Sequence, residues 1–118
     1  MNKKLASYLR SYRRRWGLTQ QELAYLLGCK SAAVISRLEG RKREPSLRIA
    51  VACFIIFGTP AAELFPGIAT EVDDAVMARV WDLYDRLQGD PSRATRAKLD
   101  LLEDAIERAK GRARQTDV

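Results

Sequence analysis

The chain has 118 residues, enough for one modest domain or for a small domain with an appendage. Its 21 lysines and arginines outnumber its 15 aspartates and glutamates, which gives a net charge of +6. The sequence contains no histidine, which excludes histidine-based acid–base catalysis and histidine-ligated metal sites within this chain.

The charge is distributed unevenly along the chain. Residues 1–68 contain 12 basic and 4 acidic residues, whereas residues 69–118 contain 9 basic and 11 acidic residues. A basic first half suits a polyanionic partner, and a slightly acidic second half does not. Ordinary solvated charge would give the same counts, so the distribution alone leaves both interpretations open.

The two cysteines, Cys29 and Cys53, lack the spacing of a metal site, and the start of the chain is too polar for a secretion signal. We therefore expect free thiols in a reducing cytoplasm, with no metal and no required cofactor. The longest apolar run, 49–58, is too short to span a bilayer, so no membrane attachment is expected. Catalysis is not expected, although a helix N-terminus near Cys29 could lower the pKa of its thiol.

Apolar residues at helical spacing predict a first helix over residues 3–16. Arg13 stands at the edge of its apolar face. That face consists of Leu5, Tyr8, Leu9, Tyr12 and Trp16.

A second helix is predicted over residues 20–27. Thr19 and Glu22 form a T-x-x-E capping box at its start. Gly28 follows its end, where a left-handed residue is favoured. Its apolar stripe comprises Leu23, Leu26 and Leu27.

A third helix is predicted from Ser31 or Ala32 to about Glu39, with Ser31 as its cap. Gly40 ends it, and a basic loop comes next. The inward face of this helix consists of Val34, Ile35 and Leu38, and the loop residues are Arg41, Lys42 and Arg43.

A fourth helix is predicted over residues 47–57, with Ser46 as its cap and Gly58 as its stop. It is apolar nearly all round and needs cover on more than one side, so part of it should face another element or another subunit. A short fifth helix is predicted over residues 61–65, closed by the Pro-Gly pair at 66–67.

The last part of the chain predicts two amphipathic helices, over residues 71–88 and from about 92 to 110. A Gly-Asp-Pro-Ser break separates them, so they should form an antiparallel hairpin. The hairpin alone would bury too little surface. It should therefore pack on the first half of the chain or on a second subunit, and we favour dimerisation. Residues 111–118 are polar and are expected to fray.

The segments GLTQQELA at 17–24, LG at 27–28, ISRLE at 35–39, GRKREPS at 40–46 and AAELF at 61–65 carry a family resemblance. Together they resemble the helix-turn-helix of the lambda-repressor-like, or Cro/XRE, transcriptional regulators. The turn after Gly28 departs from the family pattern by one extra residue. The resemblance implies an all-α protein. A five-helix lambda-repressor-like DNA-binding bundle over residues 1–68 would precede a C-terminal two-helix hairpin over residues 69–118.

The same resemblance implies roles for residues outside the third helix. Arg13 would form a partly buried, structural ion pair with Glu39, the alternative being that Arg13 is a surface arginine. Gln20 would meet a DNA phosphate at the start of the second helix, where a helix N-terminus attracts anions. Gln21 could do likewise, or both glutamines could simply face solvent.

The resemblance also implies that the third helix is the recognition helix. Helical periodicity places Ala32, Ala33, Ser36 and Arg37 on its outward face. Arg37 could read guanine or grip a phosphate, Ser36 could contact several bases, and the alanines could touch thymine methyl groups. Lys30, just before the helix, could reach a base edge or a phosphate. The few donors suggest that DNA shape supplies part of the specificity. Alternatively, the alanines simply favour helix formation.

The basic loop after the third helix is expected to contact backbone phosphates through Arg41, Lys42 and Arg43. Such contacts give affinity and register but carry no sequence information. A charge run of this kind is otherwise a solvated surface.

The resemblance implies a cytoplasmic regulator, most simply a repressor, that binds double-stranded DNA as a homodimer with recognition helices about 34 Å apart. One alternative is an antitoxin whose C-terminal hairpin holds a protein partner. Another is a protein-interaction module that keeps the fold without specific DNA binding, which the alanine-rich face leaves open. No catalytic residue is assigned.

Overall fold

A computed structural model of the chain describes residues 7–116, and over this range the protein is all-α, without a strand. The predicted all-α class is therefore confirmed. The helices are α1 Leu9–Arg15, α2 Gln20–Leu27, α3 Ala32–Glu39, α4 Leu47–Phe57, α5 Ala61–Leu64, α6 Pro66–Arg86 and α7 Arg93–Thr116.

The chain forms two compact units, Met1–Glu71 and Val72–Val118, so that α6 begins in the first and ends in the second. The core of the first unit draws on α1 to α5. Its fully buried side chains are Leu9, Leu23, Ile35, Leu38, Cys53 and Leu64. Because each of these five helices contributes a buried side chain, the inward face of every helix is fixed, and so is the outward face.

Helix α2 has the boundaries that its local sequence predicts. The backbone N–H of Glu22 donates to the Thr19 hydroxyl at 3.0 Å, and the Glu22 carboxylate accepts the backbone N–H of Thr19 at 2.9 Å. The hydrogen bond from the Thr19 backbone N–H to the Glu22 carboxylate lowers the pKa of Glu22. At the other end Gly28 is left-handed, with φ of 73°. Both predicted signals, the capping box and the glycine stop, are therefore present.

Replacing Thr19 with alanine is expected to destabilise the protein by about 1 kcal/mol, because it removes the acceptor for an otherwise unpaired helical N–H. Ser31→Ala is the matched control. Ser31 is also an N-cap residue, but its side chain makes no capping hydrogen bond within the described residues. Urea unfolding of the two variants would measure the difference. Equal losses would contradict the assignment of these caps.

The first helix is shorter than predicted within the described residues, and its start at residue 3 and Leu5 lie outside them. It begins at Leu9, because the backbone N–H of Tyr8 instead donates to the Leu64 carbonyl at 2.7 Å. Tyr8 and Trp16, both predicted to face inward, are 53% and 68% exposed. Each lies just outside the helical segment, so helical periodicity does not fix its direction.

The predictions for α6 and α7 are corrected at three ends. Pro66 starts α6 rather than closing α5, because proline is well tolerated in the first turn of a helix. Helix α6 ends at Arg86, two residues early. Helix α7 continues to Thr116, so the expected fraying from residue 111 is wrong over 111–116, and residues 117–118 lie outside the described range.

Helices α6 and α7 run antiparallel in the second unit. The Tyr84 hydroxyl donates to Glu103 at 3.4 Å, and Arg112 donates to Asp73 at 2.7 Å. The buried side chains of α7 are Thr95, Leu99, Leu102 and Ile106. In the part of α6 that belongs to the second unit, Met77, Val80 and Tyr84 are half-buried, and so is Leu87 just after the helix. Other apolar side chains of α6 are 40–53% exposed, namely Val72, Val76, Trp81 and Leu83. Part of the apolar surface of α6 is therefore exposed to solvent.

Candidate nucleic-acid interface

One face of helix α3 packs into the core, and the opposite face is exposed to solvent. Ile35 and Leu38 are 0% and 1% exposed, and α3 packs on α1 and α2. The outward side chains of Ala33, Ser36 and Arg37 are exposed. These three residues therefore share an accessible surface, as the sequence predicts.

The residues at the start of α3 are placed less uniformly. Ala32 is half-buried, so it is less accessible than predicted, whereas Lys30 is exposed in the turn before the helix. Four residues, 28–31, connect α2 to α3. The predicted Ser31 cap is not formed by its side chain within the described part of the chain, although the residue has the extended backbone of an N-cap.

An ion pair ties α3 to α1. The Arg13 guanidinium donates to both carboxylate oxygens of Glu39, from Nε at 2.6 Å and from Nη2 at 3.1 Å. The two side chains are only 10% and 4% exposed, and the hydrogen bond to Glu39 raises the pKa of Arg13. Nη1 of Arg13 also donates to the Leu18 carbonyl at 2.8 Å. The pair thus joins the last residue of α3 to α1 and to the turn before α2.

The start of α2 shares this network. Nε2 of Gln20 donates to Oε1 of Glu39 at 3.1 Å, and the residue is half-buried. Gln21 is exposed. Gln20 is therefore a structural partner of the ion pair, and the phosphate contacts of both glutamines stay predictions. The bonds to Leu18 and Gln20 are not predicted from the sequence, because helical periodicity carries no information about a carbonyl or amide partner.

The basic loop is held against the end of α3. The backbone N–H of Gly40 donates to the Ser36 carbonyl at 2.8 Å, and that of Lys42 donates to the Arg37 carbonyl at 2.9 Å. Lys42 and Arg43 are exposed and Arg41 is half-buried. Arg41, Lys42 and Arg43 therefore follow the C-terminal end of α3, and Lys30 lies just before its N-terminal end.

One residue of the basic loop has a strained backbone conformation. Arg41 has φ of 62° and is the one described non-glycine residue with a positive φ. Such a conformation costs a residue with a Cβ about 1–2 kcal/mol. Gly40, one position earlier, has an ordinary φ of −81°, so this glycine does not relieve the turn.

Arg41→Gly is expected to stabilise the fold by about 1 kcal/mol, because glycine adopts the left-handed region without a steric penalty. The unfolding midpoint in urea would measure this gain. Lys42→Gly is the control at a neighbouring exposed position and should not stabilise. Lower stability of Arg41→Gly would show that the arginine side chain contributes more than its backbone costs.

Neither cysteine has the lowered pKa of a reactive thiol. Burial raises the pKa of Cys29, with Arg43 only partly opposing the shift, so the lowered pKa that a helix N-terminus could give is not found. Burial raises the pKa of Cys53 to about 11. Within residues 7–116 no group of three or more acidic or cysteine side chains is placed to hold a metal ion. None of the helices in that range has the length and apolar character of a membrane span.

The chain matches the model of a family described as a helix-turn-helix domain, over residues 4–64. The chain belongs to this helix-turn-helix domain family. The matched region contains α1 to α5, and within it α2 and α3 are the two helices that the sequence resemblance assigns to the motif. Comparison with curated proteins gave no match, and comparison with solved structures gave none either. Helix-turn-helix motifs bind DNA with their second helix in the major groove.

Proposed function

We propose that the protein is a sequence-specific regulator of the Cro/XRE type that binds double-stranded DNA in the cytoplasm. Base readout would come from Lys30, Ala33, Ser36 and Arg37, with a smaller part for the half-buried Ala32. The observation that carries the proposal is the arrangement of α3. One face is locked into the core, and the other is exposed between a lysine at its start and a cationic loop at its end.

The chemistry of this surface supports separate roles in base readout and in phosphate contact. Arg37 can donate two parallel hydrogen bonds to guanine, and the Ser36 hydroxyl can pair with several bases. Arg41, Lys42 and Arg43 have the charge that phosphates attract, which sets affinity and register. The small side chain of Ala33 would let α3 sit deep in the major groove, so groove shape would supply part of the specificity.

We further propose that the protein binds as a dimer to a near-palindromic site and represses transcription by blocking polymerase. Two copies would place their α3 helices in successive major grooves, about 34 Å apart. Selection from a random duplex library by the full-length protein tests this. The expected result is enrichment of two related half-sites whose centres lie about 10 base pairs apart. A pool that shows no enriched sequence would contradict the proposal.

A second candidate role concerns the hairpin. Val72, Val76, Trp81 and Leu83 leave apolar surface of α6 exposed on an acidic segment of the chain. An antitoxin-type regulator would use such a surface to hold a protein partner. Purification of the protein with the product of a neighbouring gene would test this role. A module that binds only proteins would predict weak DNA binding without sequence preference.

A further inference from the structure

Helix α4 carries an apolar face that is largely exposed. Leu47, Val51, Phe54 and Ile55 are 81%, 50%, 55% and 75% exposed. Their spacing of four, seven and eight residues places them on one continuous stripe along the helix. The opposite side of α4 contributes Ile49 and Cys53 to the core, so the helix is apolar on both sides.

The exposed apolar area of this stripe is large enough for a protein–protein interface. Four large apolar side chains at these exposures leave roughly 500 Å² of apolar surface, which is more than isolated surface residues provide. A twofold contact uses the same patch on both copies. It would bury about 1,000 Å² in total, which reaches the lower limit for a specific protein interface.

We infer that this face of α4 is where a second copy of the chain docks, with the two α4 helices packed antiparallel about a twofold axis. The inference rests on the proposed function, because it names the surface that would form the proposed dimer. It also accounts for the sequence of α4, which is apolar nearly all round although only one side reaches the core of its own chain.

The charges near α4 favour the antiparallel arrangement. Lys30, Arg43 and Arg48 line the same groove as Leu47, Val51 and Ile55 of the stripe. Arg43 precedes α4 and Arg48 lies in its first turn, so these two cations are at the N-terminal end of the helix. Parallel packing would bring the two cationic ends together. Antiparallel packing places them at opposite ends of an 11-residue helix, about 16 Å apart, which is beyond the Debye length of about 8 Å in physiological salt.

The ends of the helix also complement each other in this arrangement. The last turn of α4, residues 54–57, is apolar throughout, so its own side chains provide no cation for the C-terminal carbonyls. Antiparallel packing would place Arg48 of the second copy beside this end. A cation is favoured at the C-terminus of a helix because it opposes the partial negative charge there.

Cross-linking at the centre of the stripe tests the geometry. Val51 lies midway between Leu47 and Ile55, so the twofold axis would bring Val51 of one copy beside Val51 of the other, within reach of a disulfide. Full-length Val51→Cys should form a covalent dimer with oxidised glutathione. The unchanged chain and Leu47→Cys should stay monomeric on a non-reducing gel. Equal cross-linking of Val51→Cys and Leu47→Cys, or none of either, would overturn the proposal.

Sedimentation of the full-length chain tests the interface without a cross-link. Ile55→Glu should weaken dimerisation at least tenfold, because it places a charge in the apolar contact. Tyr25→Glu on α2 is the matched control, since Tyr25 is 84% exposed and lies outside both the α4 stripe and the hairpin, and it should leave the dimer intact. Circular dichroism would show that both variants are folded. An unchanged dimer constant for Ile55→Glu overturns the proposal, whichever way the control behaves.

The outcomes for the interface and for DNA binding are separable. If the unchanged protein selects a DNA site while Ile55→Glu still dimerises, the inference fails and the proposed function stands. If Val51→Cys cross-links as expected but no DNA sequence is enriched, the interface stands and the proposed function fails.

Discussion

Glu39→Ala is expected to destabilise the protein by about 3 kcal/mol, because it leaves the Arg13 guanidinium buried without its carboxylate partner. Arg13 keeps only the Leu18 carbonyl at 2.8 Å, and Gln20 loses its acceptor on Glu39. A loss of this size is a large share of the about 5–15 kcal/mol that stabilises an average domain. Equilibrium unfolding in urea would measure it.

Two further variants separate burial from charge. Asp100→Ala removes one partner of the exposed Arg96–Asp100 pair, whose side chains are 54% and 63% exposed, and it should leave the unfolding midpoint almost unchanged. The double variant Arg13→Met with Glu39→Leu should recover much of the loss, because neither charge is then left buried. A Glu39→Ala variant as stable as Asp100→Ala would show that the Arg13–Glu39 pair contributes little.

Arg37→Ala is expected to weaken binding to the selected DNA site by about 10- to 100-fold and to relax the base preference at one position. The reason is that a bidentate contact from arginine to a base distinguishes that base from the other three. Ser36→Ala should likewise change which site is chosen. Titrations against the selected duplex and against its single-base variants would measure both effects.

Lys42→Ala and Arg43→Ala should behave differently from Arg37→Ala. Each should weaken binding to every DNA sequence alike and lower the slope of log K against log salt by about 1, because one phosphate contact is lost. Binding measured at several salt concentrations gives this slope. If the variants at residues 36, 37, 42 and 43 all behaved alike, the assignment of α3 as the reading surface would be wrong.

The sequence predicts the helix-turn-helix well because its signals are local. The capping box at Thr19 and Glu22 and the glycine at 28 set both ends of α2 within a few residues, and the structure has the same boundaries. The buried faces of α2 and α3 agree with helical periodicity except at Leu26, which is predicted to face inward and is 46% exposed. The contact between Arg13 and Glu39 joins residues 26 apart, and only the family resemblance predicts it.

The remaining features depend on contacts that a local pattern does not encode. The start of α1 is set by a backbone hydrogen bond from Tyr8 to Leu64, far along the chain. Pro66 can either close a helix or open one, and the residues after it decide between the two. The left-handed residue after α3 is Arg41 although Gly40 is its neighbour, because the loop geometry, not residue preference, decides which position takes the positive φ.

Competition between the best enriched duplex and a scrambled duplex of the same composition, at physiological salt, tests the central claim most directly. We predict that the full-length protein prefers the enriched duplex by about 10³-fold or more, the lower range for specific DNA-binding proteins. Equal affinity for both duplexes, disappearing as salt is raised, would contradict specific recognition, because phosphate attraction alone would then explain the binding.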